Sequence, residues 1–87
     1  MISIIIPTLN EENYIVDLID SLISYPSVKE LIIVDALSND KTIERIQRYK
    51  NKSNSLECKI SIKKNPNLLQ GYALNIGIKS ASYPYVI

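Results

Sequence analysis

The sequence predicts an α/β fold: a Rossmann-like three-layer α/β/α arrangement around a parallel sheet, with residues 1–87 as one unit. Three observations predict it. Short apolar runs rich in β-branched residues alternate with segments of helical periodicity, the order is β-α-β-α-β-α-β, and the connections are short. Nearly continuous apolar runs suit strands covered on both faces. Strands alternating with helices of about 10–15 residues close into a parallel sheet through right-handed crossovers.

The first strand is "ISIII" (Ile2 to Ile6), which Pro7 is expected to end. "NEENYIVDLIDSLISYP" then places Ile15, Leu18, Ile19, Leu22 and Ile23 on one helical face. Asn10 is its expected N-cap, Glu11 and Glu12 suit the positive end of the helix dipole, and Pro26 closes it. "ELIIVD" (Glu30 to Asp35) is a second buried-type strand that ends on a carboxylate. "ALSND" forms a turn in which Ser38 or Asn39 can cap a helix carrying Ile43, Ile46 and Tyr49 on one side. "NKSNSLE" reads as a polar loop, "CKISI" (Cys58 to Ile62) as a shorter, partly exposed strand, and "KKNPN" as a turn. From Leu69 a third helical pattern shows Tyr72, Ala73 and Ile76 on one face, and "YPYVI" opens a fourth strand.

Composition narrows the function classes. Ten Lys and Arg against nine Asp and Glu leave a net charge of +1, with the basic residues scattered, so no electrostatic footprint for nucleic acid is present. Cys58 is the only cysteine and there is no histidine, which excludes an internal disulfide, a Cys/His zinc site and a Ser-His-Asp triad within this chain. "MISIII" lacks the basic n-region of a secretory signal, and no apolar run approaches the ~20 residues of a membrane span. The expected location is the cytoplasm.

In a parallel sheet of this kind ligands bind beyond the carboxyl ends of the strands, near the point where strand order reverses. "PTLNEE" after the first strand and "DALSND" after the second therefore matter most. Asp35 emerges at that edge, where it can accept from a ribose hydroxyl or a base N–H, or can equally cap the turn that follows. Thr8, Asn10 and Glu11 can line a nucleoside pocket. Helix capping explains Asn10 and Glu11 equally well, and explains Glu12 better. Neither G-x-G-x-x-G nor G-x-x-x-x-G-K-[ST] occurs. Gly71 and Gly77 lie in a helical pattern, where glycine costs about 1 kcal/mol against alanine. Close packing is the expected reason at Gly77. Gln70 and Asn75 can reach toward the strand ends or face solvent.

Taken together, "ISIIIPTLNEENYI", "ELIIVDALSNDKT" and "NPNLLQGYALNIGIKSASYPYVI" resemble the amino-terminal part of a family 2 glycosyltransferase, which has the GT-A fold. The second stretch is similar to the family pattern D-G-S-x-D-x-T. The wording "NP…Q…ALNIGI" is similar to bacterial exopolysaccharide members of the succinoglycan type. The resemblance implies transfer of a sugar from a nucleotide-diphosphate donor to an acceptor hydroxyl, with Pro7, Thr8 and Glu11 along the nucleoside and Asp35 hydrogen-bonded to the base or ribose. It also implies a divalent metal, Mg or Mn, in the full-length enzyme. The metal's Asp-x-Asp would follow the fourth strand and the catalytic base would come later still, so no ligand or base is expected in this chain and the chain alone is expected to be inactive. Membrane attachment on the cytoplasmic face and self-association through an open sheet edge belong to the same expectation. The alternative is a non-catalytic α/β module that binds a nucleotide or a partner. Departures from the family pattern are Ala36 and Leu37 in the D-G-S turn, Lys41 where glycine is common, and Leu74 where a basic residue is common.

Overall fold

The computed structural model describes residues 1–52, 57–66 and 70–86. Its elements are β1 (Ile2–Thr8), α1 (Ile15–Ile23), β2 (Val28–Asp35), α2 (Thr42–Lys52), β3 (Lys59–Lys64), α3 (Gln70–Ser80) and β4 (Tyr85–Val86). The four strands form one sheet in the order β3-β2-β1-β4, every pair parallel. The expected α/β order is thus the one found. Leu69, the expected start of the third helix, and Ile87, at the end of the last apolar run, lie outside the described residues. So do the side chains of Gln70 and Tyr72.

Burial on both faces follows from the apolar runs. Leu31, Ile32, Ile33 and Val34 of β2 are all fully buried, each contributing roughly 1.5–3 kcal/mol relative to exposure. Their alternation splits the core in two. On one face Ile6, Leu31, Ile33 and Ile60 pack with Ile15 and Ile19 of α1 and Ile46 of α2. On the other, Ile5, Ile32 and Val34 pack against Ala73 of α3, with Leu74 and Ile76 beside it. Two crossovers therefore step from β1 to β3 over one face, and α3 returns over the opposite face to lay β4 on the far side of β1. Strand order reverses at β1, and the crevice at its carboxyl end is where this architecture binds ligands.

Gly77 is the close-packed position the sequence suggested. A Cβ there would fall inside the contact radius of Ile5 Cγ2 and reach Ile5 Cγ1 at 3.0 Å, so only the bare backbone lets α3 settle on β1.

Several boundaries differ from the sequence reading. β1 runs through Pro7 to Thr8. The amides of Ile2 and Ser3 donate to opposite sides, to the carbonyls of Ser27 and Pro84, so alternation turns the Pro7 nitrogen toward β4. Among the described residues β4 pairs only as far as Ile4, and the missing N–H deprives no partner there. α1 begins at Ile15 with no side-chain cap, five residues after Asn10, because the amides of Asn10, Glu11 and Glu12 are taken by Ser38, by Thr42 at the start of α2 and by Asp40. α2 is capped by neither Ser38 nor Asn39. Asp40 Oδ1 accepts from the Thr42 amide at 2.9 Å and from its hydroxyl at 2.5 Å. β3 runs to Lys64, and Lys59, Lys63 and Lys64 are exposed along this edge strand, where charge discourages pairing with another chain.

Candidate functional site

The site is built on two loops at the carboxyl edge, one after β1 and one after β2. Each contains a non-glycine residue in the left-handed region, Asn10 at φ 54° and Leu37 at φ 56°. The loops fasten to each other. The Asn10 amide donates to Ser38 Oγ at 2.8 Å and the Asn39 amide donates to Asn10 Oδ1 at 2.9 Å. The Glu11 amide donates to Thr42 Oγ1 at 2.8 Å, and Arg45 Nη1 reaches back to the Glu12 carbonyl at 2.8 Å. Asparagine tolerates the left-handed conformation because its short amide can bond locally, which it does here.

Asp35 is the hub of this arrangement. Register places it opposite Thr8, whose hydroxyl donates to Asp35 Oδ1 at 2.7 Å. Ser38 Oγ donates to the same oxygen at 2.6 Å, and the Ser38 amide donates to Oδ2 at 2.8 Å. The carboxylate is only 3% exposed. Asp35 thus organises the turn, and its Oδ2 keeps acceptor capacity beyond its one bond.

A cavity of about 230 Å³ opens beside β1 at this edge. Pro7, Leu9, Val34, Ala36 and Ala73 form its apolar walls, and Thr8, Glu11 and Asn65 its polar ones. A second cavity of about 220 Å³ lies along α1 and shares Pro7, Thr8 and Glu11 with the first. Three of the four residues singled out in the sequence therefore converge, while Asp35 sits behind them, one hydrogen bond removed through Thr8.

The polarity of this lining follows from donor counting. Thr8 has one hydroxyl proton and spends it on Asp35, so toward the cavity it presents lone pairs only. Glu11 is half-buried, and its carboxylate makes no hydrogen bond or ion pair among the described residues. Both groups accept.

Asn65 was read in the sequence only as part of a turn. It is 1% exposed, and its amide donates to the Asp35 carbonyl at 2.7 Å just past the end of β3. The signal that could have found it is the strand-end rule that found Asp35, applied to a third strand that runs two residues longer than its apolar pattern suggests. Among the described residues no group of three or more His, Cys, Asp and Glu side chains could hold a metal, and no helix is long and apolar enough to cross a membrane.

With the geometry in place, comparison decides the family. The model for "Glycosyl transferase family 2" matches residues 3–87. The chain belongs to glycosyl transferase family 2. As a family 2 chain it is 40% identical, over 99% of its length, to a dolichyl N-acetyl-alpha-D-glucosaminyl phosphate 3-beta-D-2,3-diacetamido-2,3-dideoxy-beta-D-glucuronosyltransferase of Methanococcus voltae, of which it covers 27%. It is 33% identical, over 98% of its length, to the poly(ribitol-phosphate) beta-N-acetylglucosaminyltransferase TarS of Staphylococcus aureus, of which it covers 15%. The crystal structure of S. aureus TarS 1–349 superposes with a TM-score of 0.77 at 26% identity, over 98% of this chain and 26% of that one. The family 2 chain thus carries the GT-A fold and spans about a quarter or less of the length of these relatives.

Proposed function

We propose that residues 1–87 are the nucleotide-binding part of a GT-A domain, and that the full protein transfers a sugar from a nucleotide-diphosphate donor to an acceptor hydroxyl during glycan or polysaccharide synthesis. The observation that carries this reading is the pair of acceptors, one on Thr8 and one on Glu11, that lines the cavity at the strand-order reversal beside Asn65. Thr8 Oγ1 and the Glu11 carboxylate call for a ligand edge rich in donors, which ribose hydroxyls and base N–H groups supply and phosphate oxygens do not. Pro7, with Val34, Ala36 and Ala73, offers apolar surface to a base.

The cavity, at about 230 Å³, is smaller than the roughly 300–1,000 Å³ of complete small-molecule sites. It suits a nucleoside rather than a whole nucleotide sugar. In this reading Pro7, Thr8 and Glu11 flank the nucleoside, and Asp35, behind them, acts on the base or ribose by fixing the Thr8 hydroxyl. Glu11 turns the diphosphate away from itself by charge repulsion. The two relatives, each a glycosyltransferase by name, support the reading. The divalent cation, Mg or Mn, belongs to the proposal for the full-length enzyme, with no ligand among the described residues. The acceptor, a sugar or lipid-linked sugar, and a cytoplasmic location belong to it as well.

Titration of the chain with UDP, GDP, ADP and CDP, followed by backbone amide NMR, tests the site. Shifts confined to Thr8, Glu11, Ala36 and Asn65 are expected, and Glu11→Ala should weaken binding about tenfold, the worth of one charge-assisted hydrogen bond. Shifts clustering elsewhere, or affinity indifferent to Glu11→Ala, would sink the assignment.

A further inference from the structure

At the end of the sheet opposite the ligand edge, a second buried polar cluster takes no part in the proposed site. Ser3 of β1 is fully buried and Glu30 of β2 is 2% exposed. They face each other because the ladder slips between Ile2 and Ser3: Ile2 pairs with Val28 and Ser3 with Glu30, which leaves Lys29 as the extra residue of a bulge. Ser3 Oγ donates to Glu30 Oε1 at 2.6 Å. No basic side chain lies within ion-pair distance of Glu30 among the described residues, so the hydrogen bonds to this buried carboxylate come from neutral donors. Burying a charge without a counter-ion is costly, which calls for an explanation.

The turn between α3 and β4 supplies it. The Ser82 amide donates to Glu30 Oε1 at 2.9 Å, and the Tyr83 amide donates to Ser3 Oγ at 3.3 Å. Pro84 has no amide to place, and its carbonyl accepts from the Ser3 amide at 2.9 Å. Every backbone donor of residues 82–84 is therefore taken by Ser3 or Glu30. The strand that follows has little else to fix it: among the described residues β4 pairs only through Ser3 with Tyr85 and Ile4 with Val86. A one-residue slip would reverse which face each of its side chains occupies.

We propose that Ser3 and Glu30 form a register latch, a pair of positioning residues that receives the α3–β4 turn and sets where β4 joins β1. The height at which β4 reaches the ligand edge is thereby decided at the far end of the sheet. This goes beyond the nucleotide reading and stands on different residues. The latch needs the carboxylate form for full strength, because hydrogen bonds to an ionised acceptor are the stronger kind. Burial raises the Glu30 pKa, but the Ser3 hydroxyl, the Ser82 amide and the Lys59 charge on β3 together hold it below its usual value. The groups facing it are Ser3 from β1, Ser82 from the turn, and Lys59 and Cys58 from β3 and its entry.

Residue-resolved amide exchange on the 87-residue chain tests this, with Ser3→Ala and Glu30→Gln as variants. Ser3→Ala should lower protection at Ser82, Tyr83 and Ser3 about tenfold or more, while β2 amides change less than about twofold. Glu30→Gln keeps an acceptor carbonyl and should show a smaller loss at the same three amides. In the parent chain, protection at Ser82, corrected for intrinsic exchange, should collapse as pH falls through the depressed Glu30 pKa. In Glu30→Gln it should not, because nothing titrates there. Loss spread evenly over all strands, a variant that unfolds outright, unchanged protection at Ser82 and Tyr83, or a pH response that survives Glu30→Gln would each overturn the latch.

Discussion

At the residue scale, a few side chains carry more than their burial suggests. Asp35→Ala would strand the Thr8 hydroxyl and release the Ser38 amide and hydroxyl. With hydrogen bonds to a charged group worth about 1.5–3 kcal/mol, chemical denaturation should show a loss of about 2–4 kcal/mol, and an unchanged midpoint would contradict the hub role. Leu37 poses the opposite case. A branched residue held at φ 56° with its side chain 56% exposed gains little from contacts and pays roughly 1–2 kcal/mol for its backbone. Leu37→Gly should therefore stabilise the chain by about 0.5–1 kcal/mol after the added freedom of the unfolded state is deducted, readable as a higher urea midpoint. Tyr49 is the third case: burial, aided by its hydrogen bond to Asp20 at 2.9 Å, pushes its phenol up to about 12. A raised folded value means that this contribution to stability is whole below the unfolded value near 10 and is lost as pH climbs toward 12. Absorbance titration should show a tyrosine that ionises near pH 12 and that Tyr49→Phe removes.

At the scale of elements, the two loops at the carboxyl edge behave as one. Asn10 both donates to Ser38 and accepts from Asn39, in a conformation alanine disfavours. Asn10→Ala should cost about 1–3 kcal/mol and should raise amide exchange at Asn39 along with that of its own loop. Exchange confined to the first loop would show that the two are independent. The α3–β1 contact makes a separate demand. Alanine is the better helix former by about 1 kcal/mol, yet Gly77→Ala drives a methyl into Ile5, which is 1% exposed on the central strand. Overpacking of this kind costs about 1–3 kcal/mol, so a lower thermal midpoint is expected, and a higher one would mean that α3 sits less closely on β1.

For the whole molecule, the two sheet edges differ in kind. β3 is guarded by lysines, whereas the β4 side shows Tyr83 and Tyr85 at 37% and 47% exposure. An open strand beside exposed aromatic residues is a template for pairing. Sedimentation should therefore show a mass that rises with concentration, and a clean monomer at all concentrations would mean that the edge is inert.

The sequence by itself determined the element order, the parallel sheet, the family and most of each helix face, because these rest on local periodicity and on motif spacing along the chain; Leu18, expected on the buried face of α1, is instead 41% exposed while Val16 packs against the core. The sequence also brought Pro7, Thr8, Glu11 and Asp35 to one edge, since strand ends in a parallel sheet must share a side. Tertiary structure alone decided the rest. Asn10 leaves its expected cap position because the β2–α2 loop claims the amides around it, and Asp40 caps α2 in place of Ser38, which is committed to Asp35. Asn65 enters the site because β3 outlasts its apolar pattern in the ladder with β2. Ser3 and Glu30 lie 27 positions apart in sequence, and nothing in either neighbourhood marks them as partners. A bulge of one residue makes them so, and a register is a relation between strands that no single segment contains.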